Sequence, residues 1–207
     1  MRRQPAKALL IDLDGVLRRW DPAVPAAVEE KYGLAAGTLM GTAFTWDLLR
    51  PAVAGELTDA EWMDAIATRL PLPAADAAAA VAQWQTYRGE VDPDVLAFIR
   101  EARAAGRPVG IATNATDRLR DDLAALGLAD EVDAVVSSWE LRIHKPAPEF
   151  FARATDAVGL EPQWVLFVDD DDRVVRGARA AKLLAYRWTG PEGVGYLRGA
   201  LGIAAPA

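Results

Sequence analysis

Four groups of polar residues each follow or end a short apolar segment, and their residue types could together carry out chemistry on a phosphate ester. The groups are Asp12-Leu13-Asp14-Gly15-Val16, Thr113-Asn114, Lys145-Pro146 and Asp169-Asp170-Asp171-Asp172. Asp12 and Asp14 are two residues apart, so an extended segment presents both carboxylates on the same side. If the apolar segments are neighbouring parallel strands, the four groups meet at the carboxyl edge of the sheet, where open α/β sheets bind ligands.

Gathering two aspartates of the first group and two of the last would place about four negative charges in one pocket, which requires neutralisation by protons or cations. An all-oxygen set of ligands selects a hard cation, and a site with few carboxylates suits Mg²⁺. The metal and Lys145 would then supply the positive charge that a phosphate dianion needs. Thr113 could donate one hydrogen bond to a phosphate oxygen.

These residue types predict a two-step phosphoryl transfer. One carboxylate attacks phosphorus and forms an aspartyl phosphate. A second carboxylate acts as general acid for the leaving alkoxide and then as general base for water. A loose phosphoryl transition state needs mainly positioning and charge stabilisation, which a metal and a lysine provide.

The segments that must position these groups read as buried strands. They are residues 7–13, 109–113, 132–137, 164–168 and 183–188, each a short apolar run. Helical patterns lie between the later runs, at 117–126, 148–158 and 171–181, and a weaker one follows Gly190 before an expected frayed end. The alternation of strand and helix after Asp92 predicts an α/β fold with a Rossmann-like parallel sheet and helices on both faces.

Residues 21–89 interrupt this alternation and contain no convincing strand. Residues 22–32 and 74–87 favour helix, and Thr58 with Glu61 matches a capping box before an apolar-periodic run. We therefore predict a core domain of residues 1–20 and 90–207 and an inserted all-helical cap subdomain of residues 21–89. Residues 89–93 would be the returning hinge.

The four groups, in this order, resemble the motifs of the haloacid-dehalogenase-like (HAD) superfamily. The segments LLIDLDGVL, VGIATN, HKPAPEFF and VLFVDDDD match its four motifs, and the helical insert matches its cap. The resemblance covers nearly the whole chain. It implies a Mg²⁺-dependent phosphatase that hydrolyses a small phosphorylated metabolite.

The resemblance also implies a role for each residue. Asp12 would be the nucleophile and Asp14 the general acid and base. Thr113, Asn114 and Lys145 would bind the phosphoryl group of the substrate. The metal would take the Asp12 carboxylate, the main-chain carbonyl of Asp14 and the carboxylate of Asp170, with Asp169 orienting a metal-bound water.

Two positions depart from the family pattern. Many members carry Asp or Asn four residues after the metal-binding acid, where this chain has Val174, and this weakens the support for a metal. The family often has Gly at the end of the following helix, where this chain has Lys182. A register in which Asp171 or Asp172 takes the metal role stays open.

Other functions also stay open. A phosphomutase would use the same residues, and a 2-haloacid dehalogenase is disfavoured because such members generally lack an acid at the position of Asp14. A non-catalytic phosphate-binding module, which Val174 would suit, or a phospho-accepting signalling module are further possibilities. The order of the motifs and the size of the insert argue against the signalling module.

Four tryptophans, at positions 20, 46, 62 and 84, lie in or near the cap, and we expect most of them to pack and one or two to line the substrate pocket. His144, the single histidine, is interpreted as a neighbour of Lys145 rather than a catalyst. Arg18 and Arg19 follow the first motif and could meet an anionic tail of the substrate, but we interpret them as solvated surface residues.

Composition limits the partners. The formal net charge of −7 argues against nucleic-acid or anionic-membrane binding, and 52% hydrophobic residues can supply a core. The chain has no Cys, which excludes disulfide and thiol chemistry. No segment reaches the roughly 20 apolar residues of a membrane span, and a cytoplasmic location is expected. The oligomeric state is left open.

Overall fold

A five-stranded sheet forms the centre of the computed structural model, which describes residues 4–204. In chain order the strands are β1 (Ala8–Ile11), β2 (Arg18–Arg19), β3 (Glu90–Val91), β4 (Val109–Thr113), β5 (Ala134–Ser137), β6 (Val165–Asp169) and β7 (Leu184–Arg187). The central sheet has the order β5-β4-β1-β6-β7, and all its pairings are parallel. The predicted α/β class is confirmed.

The helices alternate with these strands in the core and form a continuous block after the first strands. They are α1 (Ala23–Tyr32), α2 (Thr38–Ala43), α3 (Trp46–Val53), α4 (Asp59–Arg69), α5 (Ala74–Trp84), α6 (Pro93–Ala104), α7 (Leu119–Ala125), α8 (Ser138–Leu141), α9 (Pro148–Ala157), α10 (Asp172–Ala180) and α11 (Val194–Leu201). We call α1–α5 the cap helices.

The central strands are apolar on both faces because helices cover both faces of the sheet. Ile11 and Val168 belong to one hydrophobic cluster, which includes residues of α6 and α11. Leu10 and Phe167 belong to the cluster on the opposite face, which includes residues of α9 and α10. Burial on both faces explains why β1 and β6 read as continuous apolar runs rather than alternating ones.

The topology fixes where a ligand can bind. The chain leaves β1 for β4 and β5 on one side, and then crosses to β6 and β7 on the other. The carboxyl end of β1 is therefore the point where the strand order reverses, and a crevice forms at such a point. Asp12 follows β1 directly, and its backbone N–H donates to the Val168 carbonyl at 2.9 Å.

The cap helices have a hydrophobic core of their own, built around Leu39, Trp62 and Ile66. Helix α4 begins with the predicted capping box: the Thr58 side chain accepts from the Glu61 N–H, and the Glu61 carboxylate accepts from the Thr58 N–H. Helices α2 and α3 were not predicted. Gly37, Gly41 and Pro51 lie in or beside them and obscured the helical pattern.

The short strands β2 and β3 were not predicted. Strands β2 and β3 pair antiparallel, with Arg18 opposite Val91, and join the two ends of the cap segment. Two-residue strands are too short to show a periodic pattern, so they could not be predicted from the sequence. The predicted terminal helix is α11, whereas residues 205–207 of the expected frayed end lie outside the described residues.

Lys182 follows α10 with a left-handed backbone (φ 74°), which is the conformation that favours Gly after a helix. This backbone explains why Gly is common at this position in the family; Lys182 adopts it here and is not part of the carboxylate cluster. Across residues 4–204, none of the helices combines the length and the apolar character needed to cross a bilayer.

Candidate active site

Three carboxylates meet at the crevice beside the carboxyl end of β1. Asp12, Asp169 and Asp170 each offer an oxygen atom, and these atoms lie within 4.8 Å of one another. Asp12 and Asp169 are buried, whereas Asp170 is exposed. Strands β1 and β6 are adjacent and parallel, so residues that follow or end them reach the same edge of the sheet.

Lys145 provides the balancing cation. Its Nζ lies 2.8 Å from Asp12 Oδ1 and 2.6 Å from Asp169 Oδ2, and the residue is 3% exposed. The loop that carries it is fixed by Asn114, whose Oδ1 accepts from the Lys145 N–H (2.8 Å) and whose Nδ2 donates to the Lys145 carbonyl (3.2 Å). Asn114 therefore positions Lys145, and its direct contact with a phosphate stays a prediction.

Burial and charge shift the pKa values of this cluster. Burial raises the pKa of Asp12 to about 7, with the negative charges of Asp169 and Asp14 adding to the shift and Lys145 opposing it. Burial and the charge of Asp12 also raise the pKa of Asp170. For Lys145 burial acts to lower the pKa, but Asp12 and Asp169 outweigh it and raise the pKa. The cluster is short of positive charge, which a divalent cation would supply.

Thr113 ends β4 beside this cluster with an unsatisfied hydroxyl. The residue is 1% exposed, and its Oγ1 has no hydrogen-bond partner within residues 4–204. An unpaired buried hydroxyl costs free energy unless a ligand or water satisfies it. A phosphate oxygen is the partner that the predicted role of Thr113 requires.

Gly15 lets the Asp170 carboxylate approach the first motif. Its φ is 79°, in the left-handed region, and a Cβ at this position would lie 2.3 Å from Asp170 Oδ2. Any side chain here would displace that carboxylate. The Asp-x-Asp-Gly pattern therefore has a steric reason at its glycine as well as a chemical one at its acids.

Asp14 lies at the edge of the cavity and receives three hydrogen bonds. Arg18 donates from Nε (2.7 Å) and Nη2 (2.9 Å), and Trp20 donates from Nε1 (2.6 Å). The interpretation of Arg18 as a solvated residue was wrong: it is 5% exposed because Asp14 and Asp122 pair with it. Arg19, in contrast, is mostly exposed and contacts Asp92 at 3.4 Å.

Asp122 of α7 joins two arginines from different parts of the chain. It accepts from Arg18 Nη1 at 2.9 Å and from Arg88 Nε and Nη2 at 2.9 and 2.8 Å. Burial opposes its ionisation, but the hydrogen bonds from Arg88 and Arg18 outweigh burial and lower the pKa of Asp122. Sequence reasoning missed this network. The spacing of four between Asp14 and Arg18 was the one local signal for it.

The four consecutive aspartates at the end of β6, residues 169–172, make different contacts. Asp171 caps α10, its carboxylate accepting from the N–H groups of Arg173 and Val174, and Asp172 contacts Arg176 at 3.3 Å. Asp171 is therefore used as a helix cap, and the residue of this run that joins Asp12 and Asp169 in the carboxylate cluster is Asp170. Val174 is buried in the hydrophobic cluster under α10.

A cavity of about 860 Å³ lies between the cap helices and the carboxylate cluster. All four tryptophans named from the sequence line it, so the expectation of one or two was too low. Trp62 and Trp84 are buried, while Trp20 and Trp46 are 40% and 48% exposed. The Trp46 ring meets the His144 ring edge-on at 5.4 Å, which brings the cap against the loop of Lys145.

Hydrogen bonds also join the cap to the core. Asp59 at the start of α4 accepts from Thr116 Oγ1 at 2.9 Å, and its N–H donates to Asp117 Oδ1 at 2.6 Å. The Trp139 indole N–H donates to the Leu57 carbonyl at 2.9 Å. The cavity is therefore bounded by both parts of the chain.

Residues 6–182 match the family model of the haloacid dehalogenase-like hydrolases. The chain belongs to this family. The match spans both the core strands and the cap helices, so this HAD hydrolase carries the family's pattern over most of its length.

Similar proteins include phosphatases and dehalogenases. A phosphoserine phosphatase of Thermus thermophilus is 38% identical over 95 residues, which is 45% of this chain and 38% of that protein. The alignments span between 38% and 52% of the length of the first four curated relatives. These partial matches identify the family rather than one substrate.

Two solved structures share the fold. A HAD-family enzyme of Bacteroides thetaiotaomicron, in complex with magnesium and inorganic phosphate, is 22% identical with a TM-score of 0.69 over 88% of this chain and 93% of that one. The L-2-haloacid dehalogenase of Xanthobacter autotrophicus is 25% identical with a TM-score of 0.66 over 88% of this chain and 77% of that one.

Proposed function

We propose that this HAD hydrolase is a Mg²⁺-dependent phosphatase of small phosphate monoesters that uses Asp12 as its nucleophile. The observation that carries the proposal is the contact of Asp12 with Lys145 within the cluster of three carboxylates, with the unsatisfied Thr113 hydroxyl at the end of the neighbouring strand β4. The similarity to a phosphoserine phosphatase supports it.

The residues present fit a magnesium ion. Asp12, Asp169 and Asp170 offer carboxylate oxygens within 4.8 Å of one another, and the Asp169 carboxylate accepts from Lys145 Nζ and from the Asp171 N–H. Asp12 and Asp170 would hold the ion, with the Asp14 main-chain carbonyl. When bound, Mg²⁺ would add the positive charge that both the carboxylates and a phosphate dianion require.

The first half of the reaction belongs to Asp12 and Asp14. An Asp12 carboxylate oxygen attacks phosphorus, and the bond from phosphorus to the ester oxygen breaks. Asp14 gives its proton to the departing alkoxide. Lys145 Nζ and Thr113 Oγ1 stabilise the phosphoryl oxygens during transfer.

The second half regenerates the enzyme. Asp14 removes a proton from a water molecule, whose oxygen attacks phosphorus and releases phosphate from Asp12. The contacts from Arg18 and Trp20 hold the ionised Asp14 carboxylate as the base in this half; as the acid in the first half, Asp14 carries its proton on Oδ2 in place of the Arg18 Nη2 contact. The buried ion pair of Lys145 keeps the Asp12 side chain directed toward the cavity.

The dehalogenase alternative has weaker support. A dehalogenase also needs an attacking carboxylate. It does not need a general acid such as Asp14, or three carboxylates close enough together to bind a metal ion. A phosphomutase would share all these residues, and the geometry offers no feature that favours it over hydrolysis.

The test is phosphate release from p-nitrophenyl phosphate with and without Mg²⁺. We expect Mg²⁺-dependent turnover that falls at least about 10³-fold in Asp12→Asn, because the nucleophile is lost. Asp64→Asn, which changes an exposed cap aspartate, is the matched control and should keep full activity. Unchanged turnover in Asp12→Asn would refute the proposal, and chloride release from 2-chloropropionate would reveal a dehalogenase.

A further inference from the structure

The cavity wall facing the phosphate site is aromatic to an unusual degree for a pocket beside so many charges. Trp20, Phe44, Trp46, Trp62, Trp84 and Tyr87 all line it. Phe44 is 50% exposed and Trp46 is 48% exposed, so their rings remain open to solvent rather than closed in the cap core. Exposed rings at the mouth of a cavity are free to pack against a bound group.

Each cationic side chain that lines the cavity already forms an ion pair with an acidic side chain. Among the described lining residues they are Arg18, Arg88 and Lys145. Arg18 pairs with Asp14 and Asp122, Arg88 pairs with Asp122, and Lys145 pairs with Asp12 and Asp169. A carboxylate or second phosphate on the leaving group would therefore find no cation among them that is not already bound to an acid.

The cap side of the cavity is instead negative. Glu29 is 4% exposed, and its carboxylate accepts from the N–H groups of Gly37 and Leu39. Asp59 is also 4% exposed; it accepts from Thr116, and its Oδ2 lies 3.8 Å from Arg118 Nε. Both acids line the cavity, so an anionic leaving group would meet like charges in a poorly solvated space.

One donor in this wall lacks an acceptor. Trp62 is 7% exposed, and its indole Nε1 has no hydrogen-bond partner within residues 4–204. Trp62 lines the cavity and meets the Phe44 ring edge-on at 6.1 Å. The unpaired donor in this wall is therefore an uncharged indole N–H rather than a cation.

We infer that the leaving group of the substrate is uncharged and aromatic, with its ring against Phe44 and Trp46. This inference rests on the proposed phosphatase function and specifies the substrate class of the same site. It distinguishes this chain from phosphatases of acidic metabolites, because its cavity provides stacking surfaces where those substrates would need cations.

The experiment compares three alkyl phosphates whose ester carbons are alike, using the full chain with Mg²⁺. They are 2-phenylethyl phosphate, its 4-carboxylated derivative, and glucose 6-phosphate. We expect kcat/KM for 2-phenylethyl phosphate to exceed the other two by at least about tenfold, the effect of one well-packed ring. A preference for the carboxylated ester or the sugar phosphate would overturn the inference.

Two substitutions test whether the preference for the aromatic ester comes from the rings that line the cavity. Phe44→Ala and Trp46→Ala should each raise KM for 2-phenylethyl phosphate about fivefold to tenfold and leave KM for glucose 6-phosphate within about twofold. Tyr196→Ala, which removes an exposed ring outside the cavity, is the control and should change neither. Equal effects on both substrates would contradict a stacking role.

The two proposals fail in different ways. If p-nitrophenyl phosphate is hydrolysed but the aromatic alkyl ester is not preferred, the phosphatase stands and the substrate class is wrong. If no phosphate ester is hydrolysed by the folded protein, the phosphatase proposal fails and the substrate class fails with it.

Discussion

Arg18 Nε lies 2.7 Å from Asp14 Oδ1, and Arg18 Nη2 lies 2.9 Å from Asp14 Oδ2. The guanidinium therefore donates a hydrogen bond to each oxygen of Asp14, the proposed general acid and base. The pair spans a single turn of chain just after β1. Arg18 is itself fixed by Asp122, which accepts from Nη1 at 2.9 Å. The acid that must face the leaving group is thus oriented by a residue that is anchored in the core.

Arg18→Lys tests this orientation. Lysine keeps the charge but cannot form the planar two-oxygen contact, so we expect kcat to fall about tenfold while the Mg²⁺ concentration for half-maximal activity stays within about twofold. Steady-state kinetics across a Mg²⁺ titration would measure both. Arg100→Lys, at an exposed pair with Glu131, is the control. An equal loss in both variants would exclude a specific role for Arg18.

Gly15→Ala should weaken metal binding more than it weakens the fold. The left-handed backbone costs about 1–2 kcal/mol for any other residue, and the new Cβ would also collide with Asp170. We expect the Mg²⁺ requirement to rise at least about tenfold. Gly33→Ala has nearly the same φ (70°) with no atom near the new Cβ, so it should show the folding cost alone. Identical Mg²⁺ titrations for wild type and Gly15→Ala would contradict the steric argument.

Lys145→Met should destabilise the metal-free protein. The substitution keeps the volume but leaves Asp12 and Asp169 buried without their cation, which costs about 3–5 kcal/mol of the free energy of unfolding. Urea unfolding in a chelator would measure it, and adding Asp169→Asn to the variant should recover part of the loss. Lys31→Met on the cap surface should stay within about 0.5 kcal/mol of wild type.

The main strands and the polar groups at their ends could be predicted from the sequence. A strand that is buried on both faces of the sheet appears as a continuous run of apolar residues. Residues 164–168 are apolar in succession, and β6 occupies Val165–Asp169. The acids and the lysine then follow from the rule that parallel strands present their carboxyl ends at one edge. The magnesium assignment itself remains a proposal.

The contacts that depend on distant residues could not be predicted. Arg18 and Asp122 are 104 residues apart, and nothing near either one signals the pair. The exposed tryptophans were ambiguous for a similar reason, since an apolar residue in a helical segment can face either the cap core or the cavity. Only the packing of α1–α5 over the sheet decides between these faces, as it does for Trp46.

The lowered pKa of Asp122 predicts how stability depends on pH. A carboxylate whose pKa is lower in the folded protein than in the unfolded chain stabilises the fold at every pH above its unfolded pKa, about 3.9. This stabilisation is lost as the pH falls through its folded pKa. Asp122→Asn removes this contribution. The variant should therefore be clearly less stable than wild type at pH 7, and the difference should shrink below about pH 4 as wild-type Asp122 takes up its proton. Urea unfolding at pH 7, 4, 3 and 2.5 in a chelator would follow it. Asp121→Asn, at the exposed neighbouring position, should show almost no difference at pH 7. A difference between Asp122→Asn and wild type that stays constant or grows as the pH falls would mean that the two arginines do not stabilise the ionised Asp122.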